Sequence, residues 1–296
     1  MGEQQTPQMK YAGRYINMDR SVERRSALGA QFAAFGCGDR YARFPAVDGQ
    51  TLDRTRSSLT AGECGCFESH YRCIKESMSE DRHLHILEDD VVFGPNTIPL
   101  LDQALTDAFN RGEMVFTDIF IPGELSTLQL LINYYRLTGI LDRPPPGERA
   151  LTKFINFYDL KQASFAGSSS YLVRDDTRAK LLRLMEAELA AGPTVPLDIF
   201  YNRIIHDGHI KAVCVLPFLT TVNPVEVIAT TIEGRVQNAR SNLAFFLLRN
   251  YFFVDKDEAA VAEIRRELTH DLDDPHYIDP LLDVFKFIFS ENFVAF

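Results

Sequence analysis

The sequence contains no uncharged apolar run of about 18 residues, and its acidic side chains outnumber its basic ones. Its 296 residues include 31 lysines and arginines against 41 aspartates and glutamates, a formal net charge of −10. Nucleic acid and anionic membrane surfaces are bound through the opposite excess, so the charge disfavours both as the main partner. The missing apolar run also predicts that no helix spans a membrane.

Cysteine and the best-known catalytic motifs are scarce as well. The N-terminus shows no signal-peptide pattern, and five cysteines in a long chain are not typical of a secreted disulfide framework. We therefore expect a cytoplasmic protein, with a peripheral position at the inner membrane left open. The sequence lacks a P-loop, the motifs G-x-S-x-G and H-E-x-x-H, and a G-x-G-x-x-G after a strand. It therefore lacks the hallmark residues of esterases and dehydrogenases.

Short apolar runs alternate with helical patterns from residue 11 to residue 225. This alternation predicts an α/β domain with a mostly parallel central sheet, whose ligands bind at the carboxyl ends of the strands. Residues 1–10 are polar and are expected to be a flexible N-terminus. The predicted strands are 13–18, 41–47, 83–88, 114–121, 169–174 and 210–216, and the predicted helices are 20–35, 61–79, 97–110, 125–138, 176–191 and 198–207.

Two segments depart from the alternation. Residues 141–150 contain three consecutive prolines and predict a surface loop. Residues 226–296 are predicted to form a helical C-terminal extension that ends in a phenylalanine-rich tail. The tail is interpreted as packing on the main domain; a contact with a second copy, an acceptor or a membrane surface is the alternative.

Three consecutive acids, Glu88, Asp89 and Asp90, follow the apolar run LHIL. Acids crowded at the end of a buried strand repel one another, and a divalent cation such as Mn²⁺ or Mg²⁺ removes that repulsion. Side chains alternate along a strand, so Glu88 and Asp90 can share a cation while Asp89 points elsewhere. A set of solvated turn acids is the alternative.

A predicted helix over 61–79 contains several polar side chains that resemble ligands. Thr60 and Glu63 have the spacing of a capping box, which gives Glu63 a purely structural role. Zinc could be expected at Cys64, Cys66, His70 and Cys73 from their residue types. Four ligands on one helix, however, cannot surround a single ion tetrahedrally. Buried cysteines acting as small hydrophobic side chains are the better account.

Further polar residues follow other predicted strands. Arg20 and Arg24 occupy the first turns of a helix, where arginine is unfavourable unless an anion binds nearby; a solvated basic face is the alternative. Asp48, followed by glycine, is typical of a turn as well as of a nucleoside ligand. Asp198 follows Pro196 and precedes a helix, so an N-cap role competes with a catalytic one.

The order of these segments resembles glycosyltransferase family 25, which includes lipooligosaccharide-biosynthesis enzymes and collagen galactosyltransferases. The resemblance covers about residues 12–222. It rests on the segments INMDRSVER (16–24), FPAVDG (44–49), LTAGECGCFESH (59–70), HLHILEDDVVF (83–93), GSSSYLV (167–173) and VPLD (195–198).

The resemblance implies a GT-A fold, Rossmann-like, with inverting transfer of galactose or glucose from a UDP-sugar to a glycan, glycolipid or other acceptor. It implies Mn²⁺ or Mg²⁺ at Glu88 and Asp90, with Asp198 as the base and Glu63 as the second candidate. An inactive binding module and a metal-dependent nucleotide-sugar hydrolase are the alternatives. The expected nucleotide-sugar-binding residues are Asn17, Asp19, Arg20, Arg24, Asp48, Ser69, His70, Asp89, Ser168 and Ser169.

Overall fold

The computed structural model describes residues 11–119, 155–222, 249–250, 252–257 and 259. Within these residues the strands are β1 (Tyr11–Asn17), β2 (Tyr41–Pro45), β3 (His83–Glu88), β4 (Val91–Phe93), β5 (Met114–Phe116), β6 (Asn156–Asp159), β7 (Ser170–Val173), β8 (Ala212–Leu216) and β9 (Thr220–Val222). The α-helices are α1 (Val22–Ala34), α2 (Ala61–Glu76), α3 (Thr97–Arg111), α4 (Arg178–Ala191) and α5 (Leu197–His206).

Seven strands form one central sheet in the order β2-β1-β3-β7-β5-β8-β6. The pairs β1–β2, β1–β3 and β5–β8 are parallel, whereas β7 is antiparallel to both neighbours and β6 is antiparallel to β8. Five strands therefore run in one direction, which confirms the predicted α/β class and is consistent with a Rossmann-like GT-A fold. Strands β4 and β9 form a separate antiparallel pair that begins directly after the three acids.

Helices cover both faces of the sheet because its strands are apolar on both sides. On β3, Ile86 belongs to the core shared with α2, α4 and α5, while Leu87 belongs to the core shared with α1 and α3. On β7, Tyr171 and Leu172 divide between the same two cores. This two-residue period makes a three-layer domain with the strand ends at its edges.

The predicted strands and helices that lie in the described residues are all present, with their ends shifted by a few residues. The run predicted as 114–121 ends at Phe116. Helix α2 ends at Glu76, so Met78, which continues its apolar spacing, is 43% exposed. The short strands β4, β6 and β9 were not predicted from the sequence. The helix predicted over 125–138, the loop 141–150 and most of the extension 226–296, including its phenylalanine-rich tail, lie outside the described residues.

A small part of the C-terminal extension is described, and it packs on the sheet domain. Phe218 accepts a backbone hydrogen bond from Val254 and donates one to Phe252. Asp255 accepts from the backbone N–H of Asn96 at 2.7 Å. Residues 252–255 therefore lie beside the end of β8 and the start of α3.

Candidate active site

The three acids lie at the carboxyl end of β3, between the central sheet and the β4–β9 pair. The Glu88 backbone N–H donates to the Ser169 carbonyl at 2.7 Å, and the Ser168 hydroxyl donates to Glu88 Oε1 at 3.0 Å. These contacts tie the chain that enters β7 to the end of β3. Ser168 and Ser169 therefore lie beside the acids.

The pKa values of Glu88 and Asp90 are shifted in opposite directions. Burial opposes ionisation of Glu88, but the His70 ring and the Ser168 hydroxyl hold the pKa of Glu88 below its ordinary value. Burial and the nearby Glu88 carboxylate raise the pKa of Asp90 to about 7. Asp90 Oδ1 is buried, and no described residue donates a hydrogen bond to it. An orphaned carboxylate oxygen beside a second carboxylate fits a hard divalent cation.

Asp89 points away from this pair and toward the end of β1. It accepts from Asn17 Nδ2 at 2.6 Å and from Arg24 at 3.2 Å. Asn17 is buried, and its Oδ1 accepts from Arg43 at 3.0 Å. The side chains that follow β1 and β3 therefore form one hydrogen-bonded group.

Asp19, Arg20 and Asp48 lie at the ends of β1 and β2 and are more exposed. Arg43 pairs with Asp19, and Arg20 pairs with Asp48 at 2.7 Å. Asp48 also accepts from the Gln50 N–H at 3.0 Å, which begins the turn that follows β2. Asp48 therefore has the role in a turn that the sequence predicts. Through its contact with Arg20 it also belongs to the polar surface around the strand ends.

Close backbone packing holds the Asp48 turn against α2. A Cβ on Gly49 would lie 1.7 Å from the Ala61 carbonyl oxygen, and one on Gly65 would lie 2.7 Å from the Val47 carbonyl oxygen. Ser69 joins the same contact, because its hydroxyl accepts from the Val47 N–H at 2.8 Å and donates to the Gly65 carbonyl. Ser69 is 1% exposed, and its hydroxyl connects α2 to the turn.

The two residues predicted on α2 beside Ser69 have different surroundings. Glu63 forms the capping box with Thr60, and its Oε2 accepts from both the Thr60 N–H and the Thr60 hydroxyl. His70 is fully buried two turns further along. Its Nε2 lies 3.6 Å from Glu88 Oε1, which brings His70 to the acidic end of β3.

Asp198 lies in the first turn of α5, and the N-cap is Pro196. The N-cap role proposed as the alternative for Asp198 is therefore wrong by two positions. Its Oδ2 accepts from the Gly167 N–H at 3.2 Å, and its Oδ1 accepts from the Ile199 N–H at 2.9 Å. Gly167 has φ +93° and immediately precedes Ser168, so Asp198 is joined to the chain that contacts Glu88.

Two residues of this region, Asp118 and Arg249, were not predicted from the sequence. Arg249 Nε donates to Asp118 Oδ2 at 2.8 Å, its guanidinium also contacts the Ser169 hydroxyl, and both residues are buried. Burial raises the pKa of Asp118, against the opposing charge of Arg249. Asp118 could have been found as the first acid after the run MVF, as Glu88 is after LHIL. Arg249 is an isolated cation in the apolar run AFFLLRNYFF.

The structure thus joins Glu88, Ser168, Ser169 and His70 in one contact group, and Asn17, Arg24 and Asp89 in a second that adjoins it. Asp19, Arg20 and Asp48 lie at the neighbouring strand ends, and Glu63 and Ser69 serve contacts of α2 itself. No helix in the described part of the chain is long and apolar enough to cross a membrane.

Comparisons with known proteins bear on this site. The profile of glycosyltransferase family 25, described as an LPS biosynthesis protein family, matches residues 14–200. A Glycosyltransferase 25 family member of Drosophila pseudoobscura pseudoobscura is 34% identical over 112 residues, which is 30% of this chain and 18% of the relative. One from Aedes aegypti is 34% identical over 117 residues, 33% of this chain and 19% of the relative.

A bacterial relative is also similar. The Lipooligosaccharide biosynthesis protein lic2B of Haemophilus influenzae is 41% identical over 68 residues, 22% of this chain and 24% of the relative. The match to this chain therefore spans at most 24% of the length of these three curated relatives. All of the predicted site residues lie within the 14–200 match, whereas Arg249 lies beyond it.

Proposed function

The chain belongs to glycosyltransferase family 25, and we propose that it transfers a hexose, galactose or glucose, from a UDP-sugar to a hydroxyl group. We propose further that the transfer inverts the anomeric configuration and depends on a divalent cation. The observation that carries this proposal is the pair Glu88 and Asp90 at the end of β3, where a buried Asp90 oxygen accepts from no described residue.

Glu88 and Asp90 are the residues that would hold Mn²⁺ or Mg²⁺. Carboxylate oxygens are the hard ligands that these cations prefer. A cation at this position would also relieve the repulsion by which Glu88 raises the pKa of Asp90. When bound, the metal supplies Lewis-acid stabilisation of the negative charge that develops on the leaving UDP.

We assign the nucleotide side of the donor to the polar residues that follow β1 and β2. Arginine pairs readily with diphosphate oxygens, and the Arg20 side chain is 62% exposed although it contacts Asp48. Asn17 and Arg24 fix the orientation of the Asp89 carboxylate, which we assign to a ribose or sugar hydroxyl of the donor. Ser168 and Ser169 offer hydroxyl groups beside the acids for the same donor.

We propose Asp198 as the base that takes the proton from the acceptor hydroxyl. Two backbone N–H groups fix the orientation of its carboxylate, and the Gly167 contact connects it to the serines beside Glu88. Glu63 is the weaker candidate because the capping box already uses its Oε2 twice. A proton acceptor opposite the leaving diphosphate is what an inverting transfer requires.

The acceptor is proposed only as a class: a glycan, a glycolipid or another small molecule with a free hydroxyl group. Support for a glycolipid comes from the family description and from the name of the Haemophilus influenzae relative. We propose a cytoplasmic site of action, since the five cysteines, which all lie in the described residues, form no disulfide there.

UDP release from a panel of UDP-sugars, with Mn²⁺ and with chelator, tests the proposal. We expect release of UDP from one sugar donor in the presence of Mn²⁺, with at least a 100-fold loss in Asp90→Asn, roughly 3 kcal/mol of lost stabilisation. Asp81→Asn is the matched control. Asp81 is exposed and precedes the opposite end of the same strand, so its substitution leaves the rate unchanged.

The products separate transfer from the two alternatives. Release of UDP and free hexose at the same rate with and without acceptor would identify a hydrolase and contradict the proposal. If no donor is turned over and UDP does not raise the melting temperature, the enzyme hypothesis fails and the binding-module hypothesis replaces it. Turnover that is unchanged by chelator would contradict the metal requirement alone.

A further inference from the structure

A second set of ligand-type atoms lies beside the proposed Mn²⁺ residues. One ligand atom each from Cys66, His70 and Glu88 lies within 4.8 Å of the other two. Cys66 and His70 are four residues apart on α2, so they share one side of the helix, and Glu88 approaches from the end of β3. Ligands from two elements can surround a cation, which four ligands on one helix cannot.

The His70 ring is oriented for such a contact. Its Nδ1 is hydrogen-bonded to the Tyr171 hydroxyl at 2.8 Å, and that hydroxyl contacts Tyr201 Oη, also at 2.8 Å. His70 is fully buried, and its Nε2 has no hydrogen-bond partner among the described residues. In the tautomer that binds a metal, Nδ1–H donates to the Tyr171 hydroxyl and Nε2 presents its lone pair to the cation, an arrangement typical of metal-binding histidines.

The spacing of the atoms fits a shared cation better than a direct contact. His70 Nε2 and Glu88 Oε1 are 3.6 Å apart, which is too long for a hydrogen bond. Two ligands with bonds of about 2.0–2.1 Å to one tetrahedral zinc ion are about 3.4 Å apart. Cys66 Sγ belongs to the same group, since the three ligand atoms all lie within 4.8 Å of one another.

We propose that Cys66, His70 and Glu88 form a binding site for a thiophilic divalent cation, with Zn²⁺ as the expected ion and water as its fourth ligand. Thiolate and imidazole ligands favour Zn²⁺ over Mn²⁺ and Mg²⁺. On binding, the Cys66 thiol releases its proton to solvent and the sulfur forms the bond to the metal. The partly exposed position of Cys66 leaves a route for the ion and the proton.

The site shares Glu88 with the proposed catalytic metal. A Zn²⁺ ion held by Cys66 and His70 would withdraw Glu88 from Asp90, so zinc is expected to inhibit turnover in competition with Mn²⁺. This consequence rests on the proposed function, whereas binding of the ion does not. The binding test below therefore stands even if the proposed function fails.

Titration of the metal-free protein with Co²⁺, a spectroscopic substitute for Zn²⁺, tests the site directly. We expect one Co²⁺ per chain, with a near-ultraviolet thiolate-to-cobalt charge-transfer band that Zn²⁺ displaces. Cys66→Ser should lose the band and weaken binding by at least about 100-fold, more than is typical of a lost second-shell contact. The control is Cys64→Ser on the same helix. The Cys64 thiol contacts Ser57, so this variant should keep the charge-transfer band and the Co²⁺ affinity of the wild type.

Two results would overturn the proposal. One is a wild-type protein that binds no Co²⁺ through sulfur. The other is a charge-transfer band that survives in Cys66→Ser, since another thiol would then be the ligand. Circular dichroism and melting temperature verify that both variants are folded. In turnover assays, zinc inhibition that is equal in the wild type and Cys66→Ser would contradict the competition while leaving the binding result intact.

Discussion

Arg249 and Asp118 are 131 residues apart in the chain and form a buried ion pair, with Nε and Oδ2 separated by 2.8 Å. The Asp118 side chain is fully buried and that of Arg249 is 10% exposed. The same guanidinium contacts Ser169, and its charge acts on the pKa values of Glu88 and Asp90. The C-terminal segment thus supplies a cation to a group of acids that comes from the central sheet.

Arg249→Met should destabilise the protein strongly. It leaves Asp118 buried without its partner, which typically costs about 3–5 kcal/mol. Arg203→Met, which breaks the half-exposed pair with Glu188, is the matched control and should cost at most about 1 kcal/mol. Urea denaturation measures both.

A double substitution tests whether the cost comes from the pair itself. Asp118→Asn in the Arg249→Met background removes the uncompensated charge, so it should recover part of the lost stability. Equal losses in Arg249→Met and Arg203→Met would show that Arg249 is not an essential partner of Asp118.

Asp198→Asn and Glu63→Gln should separate catalysis from folding. Removing a general base typically costs about 100-fold to 10,000-fold in rate, so Asp198→Asn should lower kcat by at least 100-fold with little change in melting temperature. Glu63→Gln retains a capping side chain and should lower neither by much. Steady-state kinetics and thermal melting measure the two effects. If Glu63→Gln lost the activity and Asp198→Asn kept it, the two assignments would have to be exchanged.

Gly65→Ala should disturb the Asp48 turn. Its new Cβ would meet backbone atoms of Val47 and Gly49 at 2.7 and 2.8 Å, which cannot move aside as a side-chain end can. Overpacking of this kind costs about 1–3 kcal/mol, and displacement of Asp48 should weaken UDP binding. Calorimetry with UDP and chemical denaturation measure both quantities.

The comparison variant is Gly29→Ala in α1. No described atom lies within 4 Å of the added Cβ there, outside the helix's own neighbouring backbone. Alanine is the better helix former by about 1 kcal/mol, so this variant should be slightly more stable. UDP affinity unchanged by Gly65→Ala would contradict the proposed part of the Asp48 turn in donor binding.

His85 should make the fold sensitive to acid. It is fully buried between Tyr41 and Ser170, and burial lowers the pKa of His85 to about 3 from its ordinary 6.5. Between these values the unfolded chain binds a proton that the folded chain excludes, so stability falls as the pH drops below 6.5. The loss from this residue is about 1.4 kcal/mol by pH 5.5.

His85→Gln removes the titrating group and isolates this contribution. Denaturation of both proteins at pH 7.5 and 5.5 should show a smaller loss in the variant, by about 1.4 kcal/mol. The other acids titrate in both proteins and cancel in the difference. The same pH dependence in both proteins would show that His85 takes up its proton equally in the folded and unfolded states, and would contradict the lowered pKa of His85.

Local patterns were sufficient to predict much of the fold. The period of apolar residues predicted six strands of the central sheet and the five described helices because burial on a strand or helix repeats at fixed spacing. The apolar run before Glu88 likewise predicted that acids stand at a strand end, and the spacing of Thr60 and Glu63 predicted the capping box. Short strands such as β4 were missed because three residues show no period.

The sequence by itself therefore determined the α/β class, the acidic strand end and the family resemblance, since each is expressed within a short stretch of chain. Only the tertiary structure decided that Arg249 neutralises Asp118, that Cys66 and His70 face Glu88, and that Asp198 is joined to Gly167. These relations depend on the order of strands in the sheet and on which helix packs over which strand end. Contacts between distant segments arise from packing of the whole domain, so the spacing of residues within a short segment does not predict them.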